Sequence, residues 1–204
     1  MAQVAKALEN FRQHRMQAFH AKSKEEVIEI IKGLIEPGQS VAWGGSKTLD
    51  ELGVIGFIQE NDYVFIDGFE KGITKEESAK RKHDAFNADW YLSGANAITE
   101  TGEILNKDGR GNRVAAITYG PEKVMIIAGT NKLVKDLDEA ERRIRESAAP
   151  LNTKRLGKDT PCVKTGRCED CSSDDRICCF TQIIQQQIVK DRIHVMIVDG
   201  DYGF

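Results

Sequence analysis

Apolar residues near the start of the chain recur at the spacing of an amphipathic helix. The stripe consists of Val4, Leu8, Phe11 and Phe19. A second helix is predicted from Ser23, because Ser23 and Glu26 have the spacing of a capping box, and Pro37 ends it. The pattern predicts an N-terminal helical segment over residues 1–36. The first helix could pack on its own domain or on a second subunit of a homo-oligomer.

Short apolar runs alternate with helical patterns along the rest of the chain. Strands are predicted over residues 40–43, 63–66, 89–93, 124–128 and 193–198. Helices are predicted over 74–84 and over 136–149, and Pro150 is expected to end the second. A hairpin is predicted around the polar turn at 107–112. Strands that alternate with helices predict an α/β fold with a mainly parallel sheet flanked by helices.

The length and composition of the chain predict one domain. The 204 residues are enough for a single well-buried domain, and the hydrophobic content of 40% is typical of globular proteins. The composition shifts after Pro150, yet an apolar strand still follows. We therefore interpret residues 1–204 as one α/β domain with a Cys-rich insertion at about 157–180.

Charge and hydropathy exclude two classes of partner. A formal net charge of −3 argues against a nucleic-acid-binding protein, which usually carries a basic face. The apolar runs are too short to span a bilayer, and the charged N-terminus does not resemble a secretory signal. We expect a cytoplasmic protein without a membrane or nucleic-acid partner.

The first candidate site follows the predicted strand at 40–43. Gly44, Gly45, Ser46 and Thr48 lie between this strand and a short predicted helix. Glycines let an anion approach the backbone, and the hydroxyls could hold a phosphate or a carboxylate. The alternative is a tight turn in which Ser or Thr only caps the helix.

The second candidate site follows the predicted strand at 89–93. Asn96, Glu100, Thr101 and Gly102 are interleaved with small residues, as in a loop packed against a ligand. Glu100 could act there as a nucleophile or general base. The alternative is a polar turn that leads into a hairpin.

A third loop follows the predicted strand at 124–128 and contains Gly129, Asn131 and Lys132. The Lys132 side chain could neutralise an anion. Ligands of open parallel sheets bind outside the carboxyl ends of the strands, where these three loops are expected to converge. The convergence predicts a site for a small anionic metabolite.

All five cysteines lie close together near the C-terminus. The predicted ligand set is Cys162, Cys168, Cys171 and Cys178, with Cys179 to spare. Clustered thiolates are good ligands for zinc or a 4Fe–4S cluster, and the sequence leaves the choice between them open. The alternative is a set of free or partly oxidised thiols in a surface loop.

The order of these motifs resembles the LUD (lactate utilization, formerly DUF162) domain. The resemblance rests on Gly44–Gly53, Ser93–Gly102, Gly129–Lys132 and the segment around Pro150, and it matches the short, cysteine-bearing stand-alone proteins. It implies the fold shared by ribose-5-phosphate isomerase and coenzyme A transferases. The turn Glu100-Thr101-Gly102 is similar to the Glu-Asn-Gly turn of the transferases, whose glutamate is the nucleophile, but Thr101 replaces the asparagine.

The resemblance implies a link to the use of lactate or other organic acids, whereas the chemistry of the domain itself stays open. One hypothesis is a site for an organic acid, a sugar phosphate or an acyl-CoA. The other is an accessory protein that carries an iron–sulfur cluster or zinc and docks on an oxidoreductase subunit. Whether the chain is an enzyme is left open.

Overall fold

The computed structural model describes residues 2–204. The helices are α1 (Ala2–Gln13), α2 (Lys24–Leu34), α3 (Lys47–Glu51), α4 (Val54–Glu60), α5 (Lys75–Asp84), α6 (Asn112–Thr118), α7 (Leu137–Arg143), α8 (Ala149–Arg155) and α9 (Pro161–Thr165). The strands are β1 (Gln17–Ala21), β2 (Ser40–Trp43), β3 (Val64–Ile66), β4 (Trp90–Ser93), β5 (Ala97–Thr99), β6 (Ile104–Asp108), β7 (Lys123–Gly129), β8 (Leu133–Val134), β9 (Phe180–Ile184) and β10 (Ile193–Val198).

A six-stranded sheet in the order β1-β10-β7-β4-β2-β3 forms the centre of the fold. Every pair of neighbouring strands in it is parallel. The predicted α/β fold with a mainly parallel sheet flanked by helices is thus confirmed. A second sheet, in the order β8-β5-β6-β9, lies beside it.

The central strands are apolar on both faces, as expected for a parallel sheet covered by helices. In β7, Ile126 contributes to one core cluster and Ile127 to the other, because successive side chains point to opposite faces. Phe11 of α1 and Ile117 of α6 belong to the first cluster. Ile31 of α2 belongs to the second, together with apolar residues of α3 and α4.

The N-terminal segment differs from the predicted run of helix. The first helix ends at Gln13, and Phe19 lies in strand β1, which pairs with β10 at the sheet edge. Phe19 continues the helical spacing of the stripe, so only the pairing with β10 shows that it belongs to a strand. Ser23 begins α2 as predicted, with its hydroxyl accepting a hydrogen bond from the N–H of Glu26.

The predicted hairpin around 107–112 is wrong, because its second arm is helix α6. The Asp108 carboxylate accepts the N–H of Gly111 at 2.7 Å, and Gly111 has a φ of 85° that favours glycine. The chain therefore turns sharply after β6 and starts a helix. Val114 and Ile117, which are three residues apart, are the apolar pair on its buried side.

The prediction that Pro150 ends a helix is also wrong. A π-helical turn at Ile144–Ala148 follows α7, and α8 continues the path with Pro150 in its first turn. Pro150 has no N–H to donate to the preceding turn, and the π-helical turn before it is a local adjustment of the kind found at such breaks in a helix. As a result, Asn152 and Arg155 are helical residues of α8.

The segment 157–180 contains α9 and irregular chain, and β9 follows it as an edge strand paired with β6. No helix within residues 2–204 is both long enough and apolar enough to cross a membrane.

Helix α1 packs on its own domain, so its contribution can be tested. Phe11 is fully buried, and we expect Phe11→Ala to lower the free energy of unfolding by about 3–5 kcal/mol, measured by urea denaturation. Tyr119→Ala is the control, because Tyr119 is 83% exposed and its loss should change stability by less than about 0.5 kcal/mol. Equal stabilities of the two variants would contradict the packing of α1 described here.

Candidate functional site

A cavity of about 450 Å³ lies at the carboxyl ends of the central strands. Gly44 and Gly45 follow β2, Gly94 and Asn96 follow β4, and Lys132 follows β7, and all of them line it. This is the edge at which open parallel sheets bind ligands. Its volume is in the range that small metabolites occupy.

The cavity is strongly cationic, although the whole chain carries a net charge of −3. Its basic lining residues are Lys47, Lys82, Lys107, Arg110, Arg113, Lys132, Arg155 and Lys158. Asp108 is the one acidic residue in the lining, and its carboxylate is already paired with the Arg113 guanidinium at 3.0 Å. The excess of positive charge rests mainly on Lys82, Arg110 and Arg155, because Lys47, Lys107 and Lys158 also pair with carboxylates.

Arg113 holds the walls of the cavity together. Its guanidinium donates to Asp108 and to the backbone oxygen of Lys107 at 2.7 Å, both in β6. It also donates to the Asn96 side chain at 3.2 Å and to the Gly94 carbonyl at 3.3 Å, both in the loop after β4. The planar fork of arginine is suited to several acceptors at once.

The glycines at this edge make room for these side chains. A Cβ on Gly44 would lie 3.0 Å from the aliphatic part of Arg113. A Cβ on Gly94 would lie 2.6 Å from the Ser46 hydroxyl. The close approach of the loops after β2 and β4 thus requires residues without side chains.

Lys132 is buried within the cavity wall and is only 4% exposed. Its ammonium donates to the Thr48 hydroxyl at 2.7 Å and to the Ala95 carbonyl at 3.2 Å. Burial, with Arg143 and then Arg113 nearby, lowers the pKa of Lys132 from 10.5 to about 7. Glu51 has a smaller, opposite effect.

The structure brings part of the predicted site together. Gly44, Gly45, Ser46, Asn96 and Lys132 all line the cavity. Thr48 is fully buried beneath it and acts through its hydrogen bond with Lys132, and Ser46 also accepts the N–H of Leu49 as a helix cap. The geometry is therefore compatible with an anion-binding turn and also with a turn in which Ser46 only caps the helix.

Gly129 and Asn131 lie behind the cavity, where they hold the segment after β10. The Asn131 amide donates to the Gly203 carbonyl at 3.4 Å, and its oxygen accepts the N–H of Tyr202 at 3.4 Å. A Cβ on Gly129 would meet the Gly200 carbonyl oxygen at 2.7 Å. Their contacts are with this segment and not with the cavity.

Glu100, Thr101 and Gly102 lie away from the cavity, against α1. The Glu100 carboxylate pairs with the Lys6 ammonium at 3.1 Å, and a Cβ on Gly102 would meet the backbone of Asn10 at 2.9 Å. The Thr101 hydroxyl donates to Glu103. The structure therefore does not bring the predicted nucleophile to the residues that line the cavity, because this turn packs against α1.

Sequence reasoning missed most of the basic residues. The segment 107–113 contains three of them, Lys107, Arg110 and Arg113, and its basic character was a usable signal. A hairpin turn at this segment predicts no shared site for the three basic side chains, whereas all three line the cavity where the chain turns from β6 into α6. Arg155 was missed because the helix was expected to end at Pro150.

Of the four cysteines predicted as metal ligands, Cys168, Cys171 and Cys178 lie near one another, whereas Cys162 has other partners. Cys162 is buried, with its sulfur 3.1 Å from the Thr160 hydroxyl and 3.8 Å from that of Thr153. Cys168, Cys171 and Cys178 lie in the irregular chain beyond α9. Burial raises the pKa of the Cys178 thiol, and the Cys168 and Cys171 thiols add to this.

Within residues 2–204, no group of three or more His, Cys, Asp or Glu side chains is arranged to hold a metal ion. Cys162, the fourth predicted ligand, contacts threonine hydroxyls on the α8 side, so a zinc or 4Fe–4S site at these cysteines stays a prediction.

The sequence profile of the LUD domain matches residues 4–198. The chain therefore belongs to the LUD domain family. It is similar to a DUF162 family protein from Deinococcus radiodurans, with a TM-score of 0.55 and 15% identity over 98% of this chain and 97% of that one. This likeness supports the fold. No curated protein sequence matches the chain.

Two further solved structures resemble the chain in part. One is eIF2B beta from Chaetomium thermophilum, with a TM-score of 0.41 and 14% identity over 57% of this chain and 45% of that one. The other is ribose 5-phosphate isomerase from Plasmodium falciparum, with a TM-score of 0.32 and 17% identity over 55% of this chain and 52% of that one.

The buried amine of Lys132 gives stability a definite pH dependence. Between pH 7 and 10.5 the unfolded chain binds a proton at this residue that the folded chain does not, so stability rises with pH. The cost of the buried charge is fully present below pH 7 and disappears toward 10.5. The free energy of unfolding of wild type, relative to that of Lys132→Met, should rise by about 1.4 kcal/mol per pH unit in this window.

Urea denaturation at pH 7, 8 and 9 measures this difference. Lys47→Met is the control, because Lys47 is exposed on the same cavity edge and its removal leaves the buried amine of Lys132 in place. A difference for Lys132→Met that does not vary with pH would show that the Lys132 pKa is ordinary.

Proposed function

We propose that the chain binds a small anionic metabolite in this cavity, as part of the use of lactate or other organic acids. The observation that carries the proposal is the charge of the lining, in which eight basic residues surround one acid that is already paired. Positive charges held close together repel one another, and a bound anion relieves this repulsion.

Several of these cations are free to meet a ligand. Lys82, Arg110 and Arg155 form no ion pair with a carboxylate in residues 2–204. Lys107 and Lys158, in contrast, pair with Glu141 and Asp175. The unpaired set is available for charge-assisted hydrogen bonds to an anion.

The positions of the unpaired cations favour a ligand with more than one negative charge. Lys82 is on α5, Arg110 precedes α6 and Arg155 ends α8, so they approach the cavity from three separate elements. A monocarboxylate would meet only some of them, whereas a phosphate ester or an acyl-CoA would meet more. Phosphorylated metabolites are therefore favoured over lactate itself.

The link to lactate utilization follows from membership of the LUD domain family, and oxidation of lactate by this chain is not part of the proposal. An accessory role based on zinc or an iron–sulfur cluster would rest on the cysteines, none of which is among the residues of 2–204 that line this cavity. The anion site is the function that the geometry supports best.

Lys82 offers a sharp test, because a matched lysine lies two residues away on the same helix. Lys82 lines the cavity with its ammonium over the Phe69 ring, whereas Lys80 is exposed. We expect Lys82→Ala to weaken binding of a phosphorylated ligand at least about tenfold, because a charged hydrogen bond is lost. Lys80→Ala should bind like wild type.

The ligand is first selected by thermal shift from lactate, pyruvate, dihydroxyacetone phosphate and acetyl-CoA, and its affinity is then measured by calorimetry. Affinity should also fall as salt is added. The proposal is wrong if none of these anions raises the melting temperature, or if the two alanine variants lose affinity equally.

A further inference from the structure

Lys132 has a feature that simple charge neutralisation does not require. A lysine that only attracts anions can remain exposed, as Lys47 does at the same edge. Lys132 is instead 4% exposed and forms no ion pair with any carboxylate of residues 2–204. Buried lysines without a carboxylate partner are a usual source of amine nucleophiles.

The hydrogen bonds of Lys132 match those of a neutral amine. The nitrogen has two protein acceptors, the Thr48 hydroxyl at 2.7 Å and the Ala95 carbonyl at 3.2 Å. Thr48 in turn donates to the Tyr202 carbonyl at 3.1 Å, so its oxygen is oriented as an acceptor toward Lys132. Two acceptors use the two hydrogens of an amine and leave its lone pair free.

The surrounding charges also favour the neutral amine. Arg143 and Arg113 lie near Lys132, and together with burial they lower its pKa to about 7. Glu51 is the nearby carboxylate with the opposite effect, but its oxygens accept the N–H of Gly203 at 2.7 Å and pair with Lys47 at 3.6 Å. The negative charge of Glu51 is thus shared with other partners.

Small residues surround the space next to the amine. Gly45, Gly94 and Ala95 line the same cavity as Lys132. Gly203 passes over the nitrogen, and a Cβ there would lie 3.1 Å from it. Lys132 nevertheless lines the cavity, so a small ligand there can contact this side chain.

We propose that Lys132 is the nucleophile for an anionic ketone or aldehyde, whose carbonyl carbon it binds covalently as an imine while the cationic lining holds the carboxylate or phosphate. This inference rests on the proposed function, since it concerns the same cavity and names the class of ligand.

The step balances without an oxidant or a reductant. The lone pair of Nζ attacks the carbonyl carbon and forms a C–N bond, and the carbonyl oxygen takes up a proton. The C–O bond then breaks, and the oxygen leaves as water with both hydrogens that the amine carried. The anionic group of the ligand is unchanged and remains with the cationic side chains.

Reductive trapping tests this directly. The full-length protein is incubated with borohydride and either pyruvate or dihydroxyacetone phosphate, which distinguishes a carboxylate from a phosphate anchor. Acetone and dihydroxyacetone are the uncharged controls. We expect one reduced adduct per chain by intact mass, located at Lys132 by peptide mapping, with at least one of the anionic ketones and with neither uncharged one.

Two lysine variants and the pH dependence of trapping test the assignment of the adduct to Lys132. Lys132→Arg keeps the charge and should lose the adduct, whereas Lys135→Arg should retain it, because Lys135 is on the surface. Trapping should rise with pH through about 7, the pKa of Lys132, well below the range of an exposed lysine. Because the adduct is located in the wild-type protein, the test holds even if a variant fails to fold.

The outcomes separate the two proposals. If an anionic ketone raises the melting temperature but forms no adduct at Lys132, the imine is wrong and the anion site stands. An adduct spread over exposed lysines also overturns the imine. If no anion stabilises the protein and none is trapped, both proposals fall.

Discussion

The guanidinium of Arg113 joins the two sheets at the cavity. Its acceptors are backbone and side-chain oxygens of the loop after β4 and of strand β6, including the Asp108 carboxylate at 3.0 Å. The Asp108 carboxylate also accepts the N–H of Gly111, the residue before helix α6, and Arg113 lies in the first turn of that helix. The position of each wall therefore depends on one charged network, and removing either partner would leave a largely buried charge without compensation.

The cavity also holds several positively charged side chains close together, and these charges repel one another. Arg113 is neutralised by Asp108, but Lys82, Arg110 and Arg155 line the same cavity without carboxylate partners in residues 2–204. The largely apolar central strands β7 and β10 supply the stability that tolerates this arrangement. Functional sites often retain such unfavourable charge, because a ligand of opposite charge relieves it.

The family and the cavity contribute different parts of the functional argument. Membership of the LUD domain family establishes the family and its fold, and the similarity to the Deinococcus radiodurans protein at 15% identity extends to the fold alone. A fold does not carry a chemistry with it. The nature of the ligand is therefore argued from the charge, the burial and the hydrogen bonds of this chain's own residues, with Lys132 at the centre.

The sequence alone determined the α/β class, the β2, β4, β7 and β10 strands and the convergence of three loops, because apolar runs and glycine turns are local signals. It also identified Lys132 and the Gly44–Ser46 turn. Only the tertiary structure decided that Glu100 faces α1, that α6 is a helix and that the path through Pro150 continues to Arg155. The position of Glu100 depends on segments distant in the chain: its pairing with Lys6 spans 94 residues, and no local pattern records such a contact.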